Sequence, residues 1–189
     1  VLSQEFVDCM VSLAKEHDIL LVDDEVQAGN GRTGTLYAYM QYGFTPDIMS
    51  TAKGLGGGLP IGACLMGEKV QDSMGAGTHG STFGGNPAVC AGALNILSRI
   101  DGNLLADVKA KGEYIVKELS GAPGVKGISG KGLMIGIETE KSAGDVLAEC
   151  MANGVLVLTA HGKVRLVPAL NIPMELVEKA VAVIKAACA

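Results

Sequence analysis

Apolar residues recur in two rhythms along this chain, and the rhythm changes at its glycine clusters. Phe6, Met10, Leu13 and Ala14 fall at helical spacing behind Ser3, which can cap the first turn. The continuous run Ile19-Leu20-Leu21-Val22 then predicts a buried strand over residues 19–23. A loop rich in glycine and asparagine, Gln27 to Gly34, leads to a short helix over residues 36–42. Residues 47–51 and 61–66 read as a second and a third strand, and residues 68–74 as a short helix. A second glycine-rich loop, residues 75–85, ends at Asn86-Pro87. Proline in a first turn loses no hydrogen bond, so a helix is predicted from Ala88 to Ile100.

The pattern shifts near Asp101-Gly102-Asn103. Beyond it the spacing predicts a charged amphipathic helix over 104–119, strands over 125–128 and 133–138, and a helix over 143–153. Strands over 155–158 and 164–167 precede a last helix from Met174, and Gly130-Lys131-Gly132 is a hairpin signal. The expected fold class is therefore α/β. Residues 1–101 form part of a mostly parallel sheet with helices, and residues 102–189 a small α+β domain.

Composition narrows the chemistry. The 189 residues are 48% hydrophobic and 19% charged, enough apolar surface to bury a core. A formal net charge of -5 offers no basic stripe for phosphate, which argues against a nucleic-acid or anionic-membrane partner. No apolar run reaches membrane-spanning length. Five widely spaced cysteines without a C-x-x-C read as reduced, mostly buried thiols of a cytoplasmic protein. The three histidines are unclustered, so no metal site is expected. Val1 is not a methionine and the helical pattern begins almost at once, so the chain reads as a fragment whose front has been removed.

Two charged positions stand at strand ends. Asp24 follows the first apolar run, and Lys53 closes the run Asp47 to Ala52 just before Gly54-Leu55-Gly56-Gly57-Gly58. Ligands of open α/β sheets gather at the carboxyl ends of strands. A lysine amine and a carboxylate there suit pyridoxal phosphate, the amine taking the aldehyde and the acid holding the pyridine nitrogen. The competing reading is a structural ion pair or a solvated charge at a strand end. Gly80-Ser81-Thr82 is a hydroxyl-rich turn that suits a phosphate, although a helix cap or a Ser/Thr turn is the commoner role of such a turn. Arg165, flanked by apolar residues, suits a substrate carboxylate or an exposed edge strand. The segment Gly29-Asn30-Gly31-Arg32-Thr33-Gly34 matches G-x-G-x-x-G, but Asp23, Asp24 and Glu25 would repel a pyrophosphate there.

Four stretches carry a family resemblance. Leu20 to Gly34 resembles the pyridine-nitrogen segment of class III aminotransferases, the ornithine, acetylornithine and 4-aminobutyrate type. Pro46-Asp47-Ile48 with Ala52 to Ala63 is similar to their Schiff-base lysine segment. His79 to Pro87 is similar to their dimer-crossing phosphate loop, and Val164 to Pro168 to their carboxylate-binding strand. The resemblance implies a fold-type I, pyridoxal-phosphate-dependent homodimer acting on amino acids and 2-oxo acids. Asp24 would meet the pyridine nitrogen, Gln27 the ring hydroxyl, and Lys53 the aldehyde. Thr82 would reach the neighbouring subunit's phosphate, and Arg165 the substrate α-carboxylate. Within the family the likeness is greatest to the acetylornithine subgroup, which implies arginine biosynthesis in the cytoplasm. Members run to about twice this length.

Overall fold

The computed structural model describes residues 1–189, and the chain divides into two compact units. One comprises Leu2–Gly31 and Thr35–Asp101. The other comprises Gly102–Ala189 together with Val1 and Arg32–Gly34.

The first unit opens with α1 (Gln4–Glu16), capped by Ser3, whose Oγ accepts from the Phe6 N–H at 3.2 Å. Its inward positions are Val7 and Ala14, whereas Phe6 and Leu13, expected on the same apolar face, are exposed. Three strands follow: β1 (Val22–Asp24), β2 (Ile48–Thr51) and β3 (Ala63–Met66). They lie in the order β1-β2-β3, β1 parallel to β2 and β3 antiparallel to it. The expected mostly parallel sheet is thus half parallel within these residues.

Strand β1 is shorter than its apolar run. The Asp47 side chain accepts from Leu21 N–H at 2.8 Å, and Leu21 O accepts from Asp47 and Ile48, so the ladder begins only at Val22. Within these 189 residues the run is not buried either, since β1 is a sheet edge here and Val22 is 67% exposed. Residues 68–74 are turns rather than a helix. Val70 and Gln71 both bond Gly67 O, and the Ser73 N–H and hydroxyl turn back to Val70 O. Helix α2 (Pro87–Arg99) starts where expected, with Asn86 Oδ1 accepting from Ala88 and Val89.

The second unit packs α3 (Gly102–Leu119), α4 (Ala143–Ala152) and α5 (Met174–Cys188) on an antiparallel sheet. Its strands are β4 (Val125–Lys131), β5 (Met134–Thr139), β6 (Leu158–Ala160) and β7 (Lys163–Leu166), ordered β4-β5-β7-β6. Val108, Ile115 and Leu119 of α3 meet Ile135 and Ile137 of β5, Val164 of β7 and Ile184 of α5 in one core. Gly112 lets α3 lie against the 132 turn, since a Cβ there would come within 2.3 Å of Gly132 O. Strand β6 begins at Leu158, later than expected, because Gly154 and Val155 finish α4: Val155 N–H donates to Cys150 O at 2.9 Å. Of the cysteines only Cys150 and Cys188 are buried, while Cys9 and Cys64 are exposed, so the thiols are not mostly buried.

Candidate functional site

Strand β2 organises the candidate site. Its partner residue for Asp24 is Ser50, and the Ser50 hydroxyl donates to Asp24 Oδ1 at 3.1 Å. The same oxygen accepts from Val26 N–H at 3.0 Å, so two bonds fix the exposed Asp24 carboxylate at the carboxyl end of the parallel pair. Three residues beyond Ser50, Lys53 opens a 3₁₀ turn (Lys53–Gly56) with φ 48°. A non-glycine residue in the left-handed region carries strain that its surroundings must hold, and such residues concentrate at functional sites.

The surroundings are supplied by Asn30, itself at φ 55° and buried. Its Nδ2 donates to Thr51 Oγ1 at 2.9 Å and to Ala52 O at 3.1 Å, clamping the chain immediately before Lys53. Gly54 passes close beneath it, with a Cβ there 3.4 Å from Asn30 Cβ. Lys53 is exposed and joins no ion pair, and Asp24 joins none either, so the structural ion-pair reading of these two residues falls away. An amine and a carboxylate, both exposed and both tied to the end of one strand, are available to a ligand.

Glu25 faces the opposite way from Asp24. It is fully buried, and its Oε1 accepts from Tyr39 N–H at 2.9 Å, fastening residues 37–39 to the end of β1. No donor reaches its Oε2 or Asp23 Oδ2, and both atoms are buried. Burial and the adjacent Asp23 carboxyl push Glu25 up to about 7, against the opposing pull of the Tyr39 N–H. Burial likewise raises Asp23. A proton shared between the two carboxyls satisfies both open oxygens.

Gln27 is exposed in the turn three residues beyond Asp24. Thr82 lies in residues 71–87, every one of which is exposed. Because Asn86 caps α2, the cap reading of Ser81 and Thr82 does not hold. No α-helix begins at Gly29–Gly34, which removes the helix terminus that a dinucleotide loop requires.

In the other unit, Arg165 on β7 pairs in register with Gly136 of β5 and Leu158 of β6, so it is not on a sheet edge. It contributes to an apolar cleft of about 580 Å³ whose walls include Val157, Pro168, Ile172 and Val177. Arg165 forms no ion pair within the chain. Burial, and after it the repelling charge of nearby Arg165, lowers the Arg32 pKa. Asn30, Glu25 and Arg32 are site-shaping residues that the sequence showed only as members of a glycine motif and an acidic run. The hint for Asn30 was its residue type, since asparagine tolerates positive φ.

Comparison with known proteins identifies the family. The family model described as aminotransferase class-III matches residues 1–188. Acetylornithine aminotransferase of Haemophilus ducreyi is 46% identical over 185 residues, covering 97% of this chain and 47% of that protein. The Bacillus subtilis protein of the same name is 40% identical over 193 residues, covering 99% and 50%. Among solved structures, acetylornithine aminotransferase from Elizabethkingia anophelis superposes with a TM-score of 0.91 at 32% identity, covering 100% of this chain and 50% of that one. Ornithine δ-aminotransferase from Plasmodium falciparum does so at 0.88 and 34%, covering 100% and 52%. These neighbours give the chain a fold-type I aminotransferase architecture. The chain spans about half the length of the curated relatives it matches. It belongs to the class-III aminotransferases.

Proposed function

We propose that these residues carry the lysine, ring-acid and carboxylate-binding parts of an aminotransferase that moves an amino group from N2-acetyl-L-ornithine to 2-oxoglutarate, in arginine biosynthesis. The observation that carries the reading is Lys53: exposed, free of any ion pair, and held at positive φ just past the end of β2, at the same end of the parallel pair as the anchored Asp24. The donor set fits pyridoxal phosphate, because it offers an unpaired amine, an exposed carboxylate with only one oxygen engaged, and exposed hydroxyls. When bound, that cofactor supplies an aldehyde for amines and a ring that withdraws electrons from the substrate α-carbon.

The chain's own residues then divide the work. Asp24 would keep a proton on the ring nitrogen, and Gln27 would lie toward the ring hydroxyl. Lys53 would hold the cofactor through its aldehyde and would carry the proton at the substrate α-carbon. Arg165 binds the substrate α-carboxylate through its planar fork. Thr82 holds the phosphate bound by the neighbouring subunit of a homodimer. In this reading residues 1–101 are part of the large cofactor domain, residues 102–189 are the small domain, and the protein works in the cytoplasm. No helix is long and apolar enough to cross a membrane. The 189 residues alone are proposed not to turn over, since they span half of their relatives.

Reduction with borohydride after addition of pyridoxal phosphate, followed by peptide mapping, tests the lysine. Label is expected on Lys53, and label confined to other lysines sinks the assignment. Transaminase turnover by the isolated chain would overturn its proposed inactivity. A second reading, ornithine as donor, is favoured by the ornithine aminotransferases among the structural neighbours at TM-scores up to 0.91. An amino-donor panel with ornithine, succinylornithine and 4-aminobutyrate separates the two.

A further inference from the structure

We infer that Arg32 is a positioning residue for the carboxylate site at Arg165, pinning the two stretches of backbone that flank it; this rests on the carboxylate-binding role proposed above for Arg165. Arg32 belongs to the G-x-G-x-x-G segment by sequence, but it packs in the unit formed by Gly102–Ala189. Its Nη1 donates to Leu133 O at 3.2 Å and also to Pro168 O. Leu133 directly precedes β5, whose Gly136 is the register partner of Arg165. Pro168 lies two residues beyond the end of β7, the strand that carries Arg165. One guanidinium therefore holds the entry to β5 and the exit from β7.

The backbone makes the clamp reciprocal. Leu133 N–H donates to Arg32 O at 3.0 Å, and Gly132 lies so close that a Cβ there would sit 2.7 Å from Arg32 O. Both acceptors of the Arg32 side chain are neutral carbonyls, and neither Arg32 nor Arg165 has a carboxylate partner. Two neighbouring guanidinium charges thus stand without a counter-ion. The fixed one repels the other and adds to the field that draws in an anion. Both bonds leave one nitrogen whose direction the planar guanidinium fixes, and a lysine ammonium on its flexible stem lacks that fixed direction.

The chain has three arginines, Arg32, Arg99 and Arg165, so their Nε–H signals are separable in a nitrogen-15 arginine spectrum. Titration of the 189-residue chain with 2-oxoglutarate is expected to move the Arg165 signal. Arg32→Lys and Arg32→Gln are each expected to weaken that response roughly 3- to 30-fold in dissociation constant. Unchanged affinity in both variants overturns the positioning role and leaves the Arg165 reading standing. An Arg165 signal that ignores 2-oxoglutarate in the unaltered chain overturns the Arg165 reading and this inference with it. The unaltered chain also decides the matter if the variants fail to fold. Its Arg32 Nη groups are expected as distinct, slowly exchanging signals, and one averaged signal from a freely rotating guanidinium overturns the proposal.

Discussion

The two units bury their apolar residues in different ways. In the arginine-bearing unit, three helices and four strands close over one continuous core, and Val108, Leu119, Leu133, Ile137, Val146 and Val164 are all fully buried. The lysine-bearing unit has scattered buried positions, among them Val7, Met49, Leu55 and Val70, while Val22 on β1 is 67% and Phe83 is 85% exposed. Its order comes from polar clamps instead: Asn30 on the end of β2, Glu25 on residues 37–39, and Ser50 on Asp24. Within a chain that spans about half the length of its relatives, the contrast separates a unit that closes its own core from one that leaves apolar faces open and orders its candidate site by hydrogen bonds. One unit is held by packing, and the other aims its side chains by hydrogen bonds.

The largest effect that contrast predicts lies on the chemistry. In an active aminotransferase containing this sequence, Lys53→Ala should lower turnover roughly 10²- to 10⁴-fold, because the proposed aldehyde anchor and proton carrier would both be lost. Steady-state rates check it, and a retained rate removes Lys53 from the reaction. Next comes the packed core. Ile137→Ala should destabilise by about 2–5 kcal/mol, measured by denaturant unfolding. Asn30→Ala should cost about 1–3 kcal/mol, by freeing the Thr51 and Ala52 acceptors and by placing alanine at positive φ. A loss as small as that of an ordinary surface change would mean that the clamp is dispensable.

Acid should stabilise the lysine-bearing unit. The carboxyl of Glu25 is raised from an ordinary value of 4.5 to about 7, so between these pH values the folded chain holds a proton that the unfolded chain releases. The contribution is present below pH 4.5 and is lost as pH rises through 7. The unfolding midpoint should therefore fall from pH 5 to pH 8, and Glu25→Gln should flatten that slope. An equally steep slope in the variant would place the titration elsewhere. The smallest effect is expected on the open edge, where Leu20→Ser should change stability by no more than about 0.5 kcal/mol. A larger loss would show that the exposed run does pack in solution.

The long helices were legible in the sequence because caps and periodicity are local, whereas the short one expected over 68–74 is a set of turns. Ser3, Asn86 and Ser142 each accept from the first turn that follows them. Strand burial was not legible. The run from Ile19 to Val22 has the composition of a central strand, but whether a face is covered depends on residues distant in sequence. Among site residues, Asp24 and Lys53 stood out because charge at the end of an apolar run is conspicuous. Asn30 and Arg32 did not, since their roles depend on which carbonyls the fold brings to them. Glu25 was hidden beside Asp24, because consecutive residues of a strand face opposite ways and only the fold says which way is inward.

The placement of Arg32–Gly34 among residues 102–189 has a consequence for dissecting the protein. Spatial units and stretches of sequence do not coincide, so no single cleavage of the chain yields both units whole. A piece beginning at Gly102 would lack the backbone partner of Leu133 and the side chain that holds Pro168. To be whole, that piece would need Arg32–Gly34 returned to it, as an added peptide or through a rewired connection.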